Sequence, residues 1–129
     1  MSPEKLSLIN YRISRAKEAL DDALYLAKEE RWNSVVNRLY YACFYVTVAL
    51  LVKHDLPHKT HTGVKSQLNL HFAKTGLITK DMRIFYNRLF FERNTGDYDE
   101  FVHTEQETAQ ELLTSAKQYV SKIEMLIRQ

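Results

Sequence analysis

From Leu39 to Val52 the chain reads LYYACFYVTVALLV, fourteen residues in which only Thr47 is clearly polar. A helix carrying that run is apolar all round, and such a helix must be enclosed by other elements before the chain is stable in water. The segment from about Trp32 to Lys53 is therefore the central helix, and the rest of the chain has to wrap it. Fourteen residues fall short of the roughly 20 that span a bilayer, and three tyrosines within them (Tyr40, Tyr41, Tyr45) suit a protein core better than lipid, so no membrane span is expected.

The flanking sequence has the periodicity such a wrapping requires. Leu6, Ile9, Ile13, Ala16, Leu20, Ala23 and Ala27 recur at alternating steps of three and four, which places them on one stripe of a long helix. Ser2, Pro3 and Glu4 form its N-cap and first turn. Pro57 breaks the pattern after the central helix. A shorter helix follows with Val64, Leu68 and Phe72 on one face and Gly76 as its stop signal. Thr79 and Asp81 open a fourth, carrying Met82, Phe85, Leu89 and Phe90 and ending near Arg93. After the break RNTGDYD, Thr104 and Glu107 have capping-box spacing, and Ala109, Leu112, Ala116, Tyr119, Ile123 and Leu126 form a second long stripe. No stretch alternates like a strand. The expectation is an all-α, antiparallel four-to-five-helix bundle forming a single domain over residues 1–129, without linker or internal repeat.

Composition excludes several classes of function. Hydrophobic residues at 45% and charged residues at 26% are ordinary globular values, and 129 residues bury roughly two-thirds of the surface the unfolded chain exposes. The single cysteine, Cys43, has no bridging partner and lies in an apolar run, so it reads as core. The N-terminal MSPEKLSLIN lacks the order of a secretory signal, and a cytoplasmic protein is expected. Eighteen basic and sixteen acidic side chains leave a net charge of only +2, so any basic patch has to be assembled by folding. There is no glycine-rich phosphate loop, nucleophile elbow or paired-cysteine site, which argues against a self-sufficient nucleotidyltransferase, hydrolase or dehydrogenase, and no cofactor is expected. His54, His58 and His61 straddle Pro57 with only Asp55 close by; they read as solvated or capping histidines, and no metal is expected.

Three stretches in order, NRLYYACFYVTVALL (Asn37 to Leu51), HKTHTGVKSQLNLHFAKTGLI (His58 to Ile78) and LFFERNTGDYD (Leu89 to Asp99), resemble the small HEPN proteins, whose name stands for higher eukaryotes and prokaryotes nucleotide-binding domains. The resemblance spans nearly the whole chain. It implies a helical bundle that forms a homodimer, with the loop before the last long helix facing a cleft at the dimer interface. It also implies binding of RNA or nucleotide, metal-independent ribonuclease activity in many members, and pairing with a minimal nucleotidyltransferase as the toxin half of a toxin and antitoxin system. Arg93 and Asn94 match the arginine and following polar residue of the ribonuclease members. The histidine those members carry after four to six intervening positions is absent: Tyr98, Asp99 and Glu100 stand there, and His103 follows after nine intervening residues.

Cleavage of RNA without a metal needs a base for the 2′-hydroxyl, an acid for the leaving oxygen and a cation for the developing charge. Arg93 supplies the last through a fork that matches phosphate oxygens. Asp97 or Asp99 could serve as base, Tyr98 is a poor one, and His103 reaches the site only if the loop folds back. The same loop also reads as a salt-bridged turn in which Arg93 pairs with Asp97 and Asp99, Asn94 caps the helix and Gly96 takes a positive φ. In related proteins a polar residue on the central helix lines the cleft, which implies a binding role for Asn37 or Arg38; the alternative is a satisfied helix end near Trp32. Tyr98 is a candidate for base stacking, and the resemblance makes it the nearest tyrosine for modification by a nucleotidyltransferase. Three functional readings stand: a toxin-like or accessory subunit that works with a nucleotidyltransferase and binds RNA or nucleotide through Arg93, Asn94, Tyr98, Asn37 and Arg38; an active ribonuclease using Arg93, Asn94, Asp97 and His103; and a helical dimerisation module without a ligand. The first is preferred, because the phosphate-binding arginine is kept while the usual histidine is not.

Overall fold

The computed structural model describes the backbone of residues 1–98 and 104–129 and the side chains of residues 1–93 and 104–129. The described elements are helices: α1 (Pro3–Lys28), α2 (Trp32–Lys53), α3 (His61–Leu68, running on into a π turn at Asn69–Ala73), α4 (Lys80–Tyr98) and α5 (Gln106–Arg128). There is no strand among the described residues.

Each helix end has a local cause. The Ser2 hydroxyl accepts the Lys5 N–H at 3.1 Å, and Pro3 occupies the first helical position. At the other end of α1, Arg31 N–H donates to the Leu26 carbonyl and Glu30 N–H to that of Ala27, which is the Schellman closure. It forces Glu30 to φ 56°, a left-handed value normally left to glycine. The end of α2 repeats the device: Leu56 N–H reaches the Leu51 carbonyl at 2.9 Å, and Asp55 sits at φ 57°. Glu30→Gly is therefore expected to raise stability by about 1 kcal/mol, since a left-handed β-carbon costs that much or more. An unchanged or lower urea midpoint would refute this reading of the turn.

The tight α1–α2 turn sets the two helices antiparallel, and α5 closes the other side of α2. Ala16, Ala19 and Ala23 supply most of the buried face of α1, so its backbone lies close to α2; Ile9 and Ile13 complete that face, whereas Leu6, on the expected stripe, is exposed. On α5 the buried set is Ala109, Leu112, Ala116, Tyr119, Val120, Ile123 and Ile127. At 22 residues α2 is long and apolar enough to cross a bilayer, so its length does not argue against a span. Its apolar surface is met by protein instead, since thirteen of the 22 residues are buried among the other helices. Thr47, buried in the core, is fully provided for: its hydroxyl donates to the Cys43 carbonyl at 2.7 Å and shares a 2.8 Å hydrogen bond with the Tyr119 hydroxyl.

At the start of α3 the Thr60 hydroxyl caps Gly63 N–H at 2.9 Å. A β-carbon at position 63 would meet that hydroxyl at 2.7 Å, which is the steric reason for glycine in the sequence THTG. Val64, Leu68 and Phe72 are buried as expected, and Gly76 at φ 81° ends the segment. Thr79 caps α4 through Met82 N–H. Tyr86, fully buried, joins Met82 and Leu89 on the inner face of α4.

Two expectations are corrected. The fourth helix does not stop near Arg93: α4 runs through Gly96 to Tyr98, so RNTGDY is helix rather than turn, and Asn94 does not cap it. A single glycine costs a helix only about 1 kcal/mol, so by itself it is a weak stop signal. The Thr104–Glu107 capping box does not form either. Glu105 occupies the N-cap of α5 without a side-chain cap, and Thr104 N–H donates instead to the Asn33 side-chain oxygen at 2.7 Å, tying the start of α5 to the start of α2.

Candidate functional site

Residues three and four apart on a helix share a face, and on α2 one such face is Arg38, Tyr41 and Tyr45 with Phe44 beside them, all half-buried within an otherwise enclosed helix. Two neighbouring elements converge on this face. From α4, Arg93 Nη2 donates to the Tyr41 hydroxyl at 3.0 Å, and the guanidinium carbon lies 5.4 Å from the ring centres of both Tyr40 and Tyr41. Within α2, the Arg38 guanidinium lies 5.3 Å from the same Tyr41 ring. Two cations thus share one tyrosine. A cation over an aromatic face is attracted by the ring quadrupole, so the Tyr41 ring helps to hold both guanidiniums at this face. Arg38 makes no ion pair among the described residues, and its Nε is buried without a hydrogen-bond partner.

From α3, His61 stacks on Phe44 with ring centres 4.3 Å apart and planes at 15°. Its Nδ1 lies 2.7 Å from the Tyr40 hydroxyl. Burial pushes the Tyr40 hydroxyl up to about 12, so it is a neutral phenol at physiological pH. Burial, and then the charge of Arg93, hold the His61 imidazole below its ordinary value, so it too is neutral near pH 7. The rim carries further cations: Lys65 Nζ lies 4.7 Å from the Phe90 ring centre, and the Arg15 guanidinium of α1 lies 5.3 Å from that of Tyr45. Beyond Arg38 a groove of about 590 Å³ runs between α1 and α2, lined by Arg15, Glu18, Asp22, Tyr25 and Arg38 among others.

The depressed histidines have a consequence for stability. His61, and His54 packed edge-on against Phe72, both have folded-state values below their unfolded ones. Below about pH 6.5 the unfolded chain therefore binds more protons than the folded one, and stability falls as pH drops through that value towards the folded ones. A urea midpoint lower at pH 5.5 than at pH 7.5, with the difference reduced in His61→Gln, is the expected result; a midpoint rising with acid would contradict it.

Of the residues singled out in the sequence, Arg93 and Arg38 meet at Tyr41. Asn37 is half-buried one position before Arg38 and makes no side-chain hydrogen bond among the described residues. The side chains of Asn94, Asp97, Tyr98 and His103 lie outside the described residues. Of the three histidines considered together, His61 faces Tyr40, His58 Nδ1 lies 3.1 Å from the Leu56 carbonyl oxygen, and His54 packs on Phe72. Sequence reasoning missed Tyr41, Phe44 and His61 as one cluster. The signal available was the step of three and four from Arg38 to Tyr41 to Tyr45 along a helix otherwise too apolar to present a face.

A family model, the HEPN domain, matches residues 9–126. A UPF0332 protein of Thermotoga maritima is 45% identical over 124 residues, covering 96% of this chain and 94% of its own. Two proteins of Methanocaldococcus jannaschii, "Putative toxin MJ0142" and "Putative toxin MJ0605", are each 29% identical, covering 85% and 91% of this chain and 75% and 87% of their own. The chain belongs to the HEPN domain family.

Proposed function

We propose that this HEPN protein is the toxin-like or accessory subunit of a pair with a minimal nucleotidyltransferase, that it works in the cytoplasm as a homodimer, and that it binds RNA or nucleotide at the face where Arg93 and Arg38 share Tyr41. The observation that carries the binding claim is the two guanidiniums on one tyrosine ring, one of them with a buried, unsatisfied Nε. A phosphate at this face takes charge-assisted hydrogen bonds from the Arg38 guanidinium beside that of Arg93, and Tyr45, Phe44 and Phe90 around it give bases a stacking surface. The relatives that carry the name of toxins support the toxin-like role.

The test has two arms. Labelled single-stranded RNA and free nucleotides are titrated into the protein at several salt concentrations, where loss of affinity with rising salt, shallower by about one unit of log–log slope in Arg38→Ala, is the expected outcome. The protein is also co-expressed with the nucleotidyltransferase from its own gene neighbourhood and purified through a tag on either partner, with light scattering to give the mass of the free protein. A monomer that copurifies with nothing and binds neither RNA nor nucleotide would leave the dimerisation and binding claims without support.

A further inference from the structure

We propose that α1 is a self-pairing surface: two copies of this chain dock antiparallel through the ridge Leu8, Tyr11, Arg15, Glu18, Asp22 and Tyr25, each ridge entering the groove between α1 and α2 of the other copy. The inference rests on the homodimer reading above and deepens it by naming the surface, the register and the contacts. It does not depend on RNA or nucleotide binding.

Outside its buried face, α1 carries these six residues at alternating steps of three and four, the spacing of a stripe made for helix pairing. Four of them, Arg15, Glu18, Asp22 and Tyr25, line the groove of about 590 Å³ together with Ala19, Leu26 and, from α2, Arg38. The ends of the ridge are apolar or aromatic and open to solvent: Leu8 is 37% exposed, Tyr11 53% and Tyr25 70%. Its middle is charged. Arg15, Glu18, Asp22 and Arg38 make no ion pair among the described residues, although Lys17 pairs with Glu124 and Arg88 with Glu111 elsewhere on the bundle. Two cations and two anions thus share one groove without neutralising each other.

The order of the residues selects a second copy, in one orientation. In an antiparallel pair with its two-fold axis midway between Arg15 and Glu18, Arg15 faces Glu18 of the second copy, Tyr11 faces its Asp22 and Leu8 faces its Tyr25. The members of each pair are equally distant from that axis along the helix, so all three contacts form together, and each forms twice. A guanidinium meets a carboxylate, a phenol hydroxyl donates to a carboxylate, and an aliphatic side chain covers an aromatic ring. A parallel pair would set Arg15 against Arg15 and acid against acid. The groove does not suit RNA, because Glu18 and Asp22 repel phosphate. Nor does a small molecule cover the ridge, which runs roughly 25 Å from Leu8 to Tyr25 at 1.5 Å per residue, the reach of another helix. Arg38 lines the groove and also lies over Tyr41, so a second copy seated here borders the binding face.

The experiment measures the self-association of the full chain by sedimentation velocity over a range of concentrations. Wild type is expected to form a dimer. Arg15→Glu sets carboxylate against carboxylate at two symmetric places, and Glu18→Arg sets guanidinium against guanidinium; each is expected to weaken the dimer by roughly 10 to 100 fold. The combined Arg15→Glu/Glu18→Arg exchange restores opposite charges across the axis and is expected to recover most of the wild-type affinity. In a second arm, Leu8→Cys and Tyr25→Cys chains are mixed under a mild oxidant. A disulfide between the two variants is expected, with little disulfide in either alone, and the native Cys43 is buried and takes no part. Circular dichroism of each variant separates lost pairing from lost fold. A wild-type dimer indifferent to both reversals, reversals that the exchange does not rescue, or a mixture without the mixed disulfide overturns this inference and leaves the homodimer reading standing. A wild-type chain that stays monomeric at every concentration brings down both.

Discussion

Replacing Arg93 with alanine is expected to weaken RNA or nucleotide binding by about 10 to 100 fold while leaving the helical content intact. A charge-assisted hydrogen bond to phosphate contributes roughly 1.5–3 kcal/mol, which is that range of affinity. Arg93 is half-buried near the end of α4, with its guanidinium over the Tyr40 and Tyr41 rings, so its loss removes contacts at the surface of the bundle rather than a core side chain. Arg93→Lys keeps the charge but not the planar fork and is expected to fall between wild type and alanine. Because Arg38 and Arg93 meet the same ring, the effects of Arg38→Ala and Arg93→Ala are not expected to add. Fluorescence anisotropy with a short labelled RNA measures wild type, the three single variants and the Arg38→Ala/Arg93→Ala double variant; equal affinities across the set would detach both arginines from binding.

The second large effect lies in the core and depends on which end of one hydrogen bond is removed. Thr47→Val keeps the shape of the side chain but leaves the Tyr119 hydroxyl, on a side chain only 2% exposed, without its partner. A buried hydroxyl left unsatisfied costs about 1–3 kcal/mol. Tyr119→Phe removes the other end, and Thr47 still donates to the Cys43 carbonyl, so the loss is expected to stay near 1 kcal/mol. The order of the two urea midpoints is the result that matters. If Tyr119→Phe is the more damaging, the hydroxyl pair is not organised as described.

These two effects also mark how far the sequence could be read. The central helix was legible because fourteen almost wholly apolar residues, if not in a membrane, have to be enclosed by the rest of the fold, and the helix found spans Trp32–Lys53 as expected. Gly76 was legible because glycine advertises a left-handed residue; Glu30 and Asp55 take the same conformation with ordinary side chains, and no local signal distinguishes them. Gly96 misled for the complementary reason: it carries the turn signal yet lies within α4, because one glycine costs a helix only about 1 kcal/mol and does not by itself end it. Thr104 and Glu107 have capping-box spacing, but Asn33, 71 residues earlier in the chain, takes the Thr104 N–H, and no spacing rule reports a competitor so distant.

The candidate site divides in the same way. Arg93 stood out through the resemblance to HEPN proteins, and Arg38 because a charged residue early in a buried helix must find a partner. His61 did not stand out as their neighbour, because its link to Arg93 passes through Tyr40 and Tyr41 on another helix. Considered with His54 and His58 it read as a solvated or capping histidine, whereas the folded chain turns the three towards different surroundings and packs His61 on Phe44. What brings His61 and Arg93 to the same two tyrosines is the packing of α3 and α4 against α2, a tertiary fact that sequence spacing does not contain.

The central claim is that a phosphate-bearing ligand sits where Arg93 and Arg38 share Tyr41. The most direct test is to record the amide and arginine side-chain NMR spectra of the isotope-labelled protein while titrating a short single-stranded RNA, then a nucleotide. The account predicts shifts concentrated on Arg38, Tyr40, Tyr41, His61 and Arg93, including the Arg38 Nε–H resonance, with little change along α5. Saturable shifts clustered elsewhere, with this group unmoved, would contradict it.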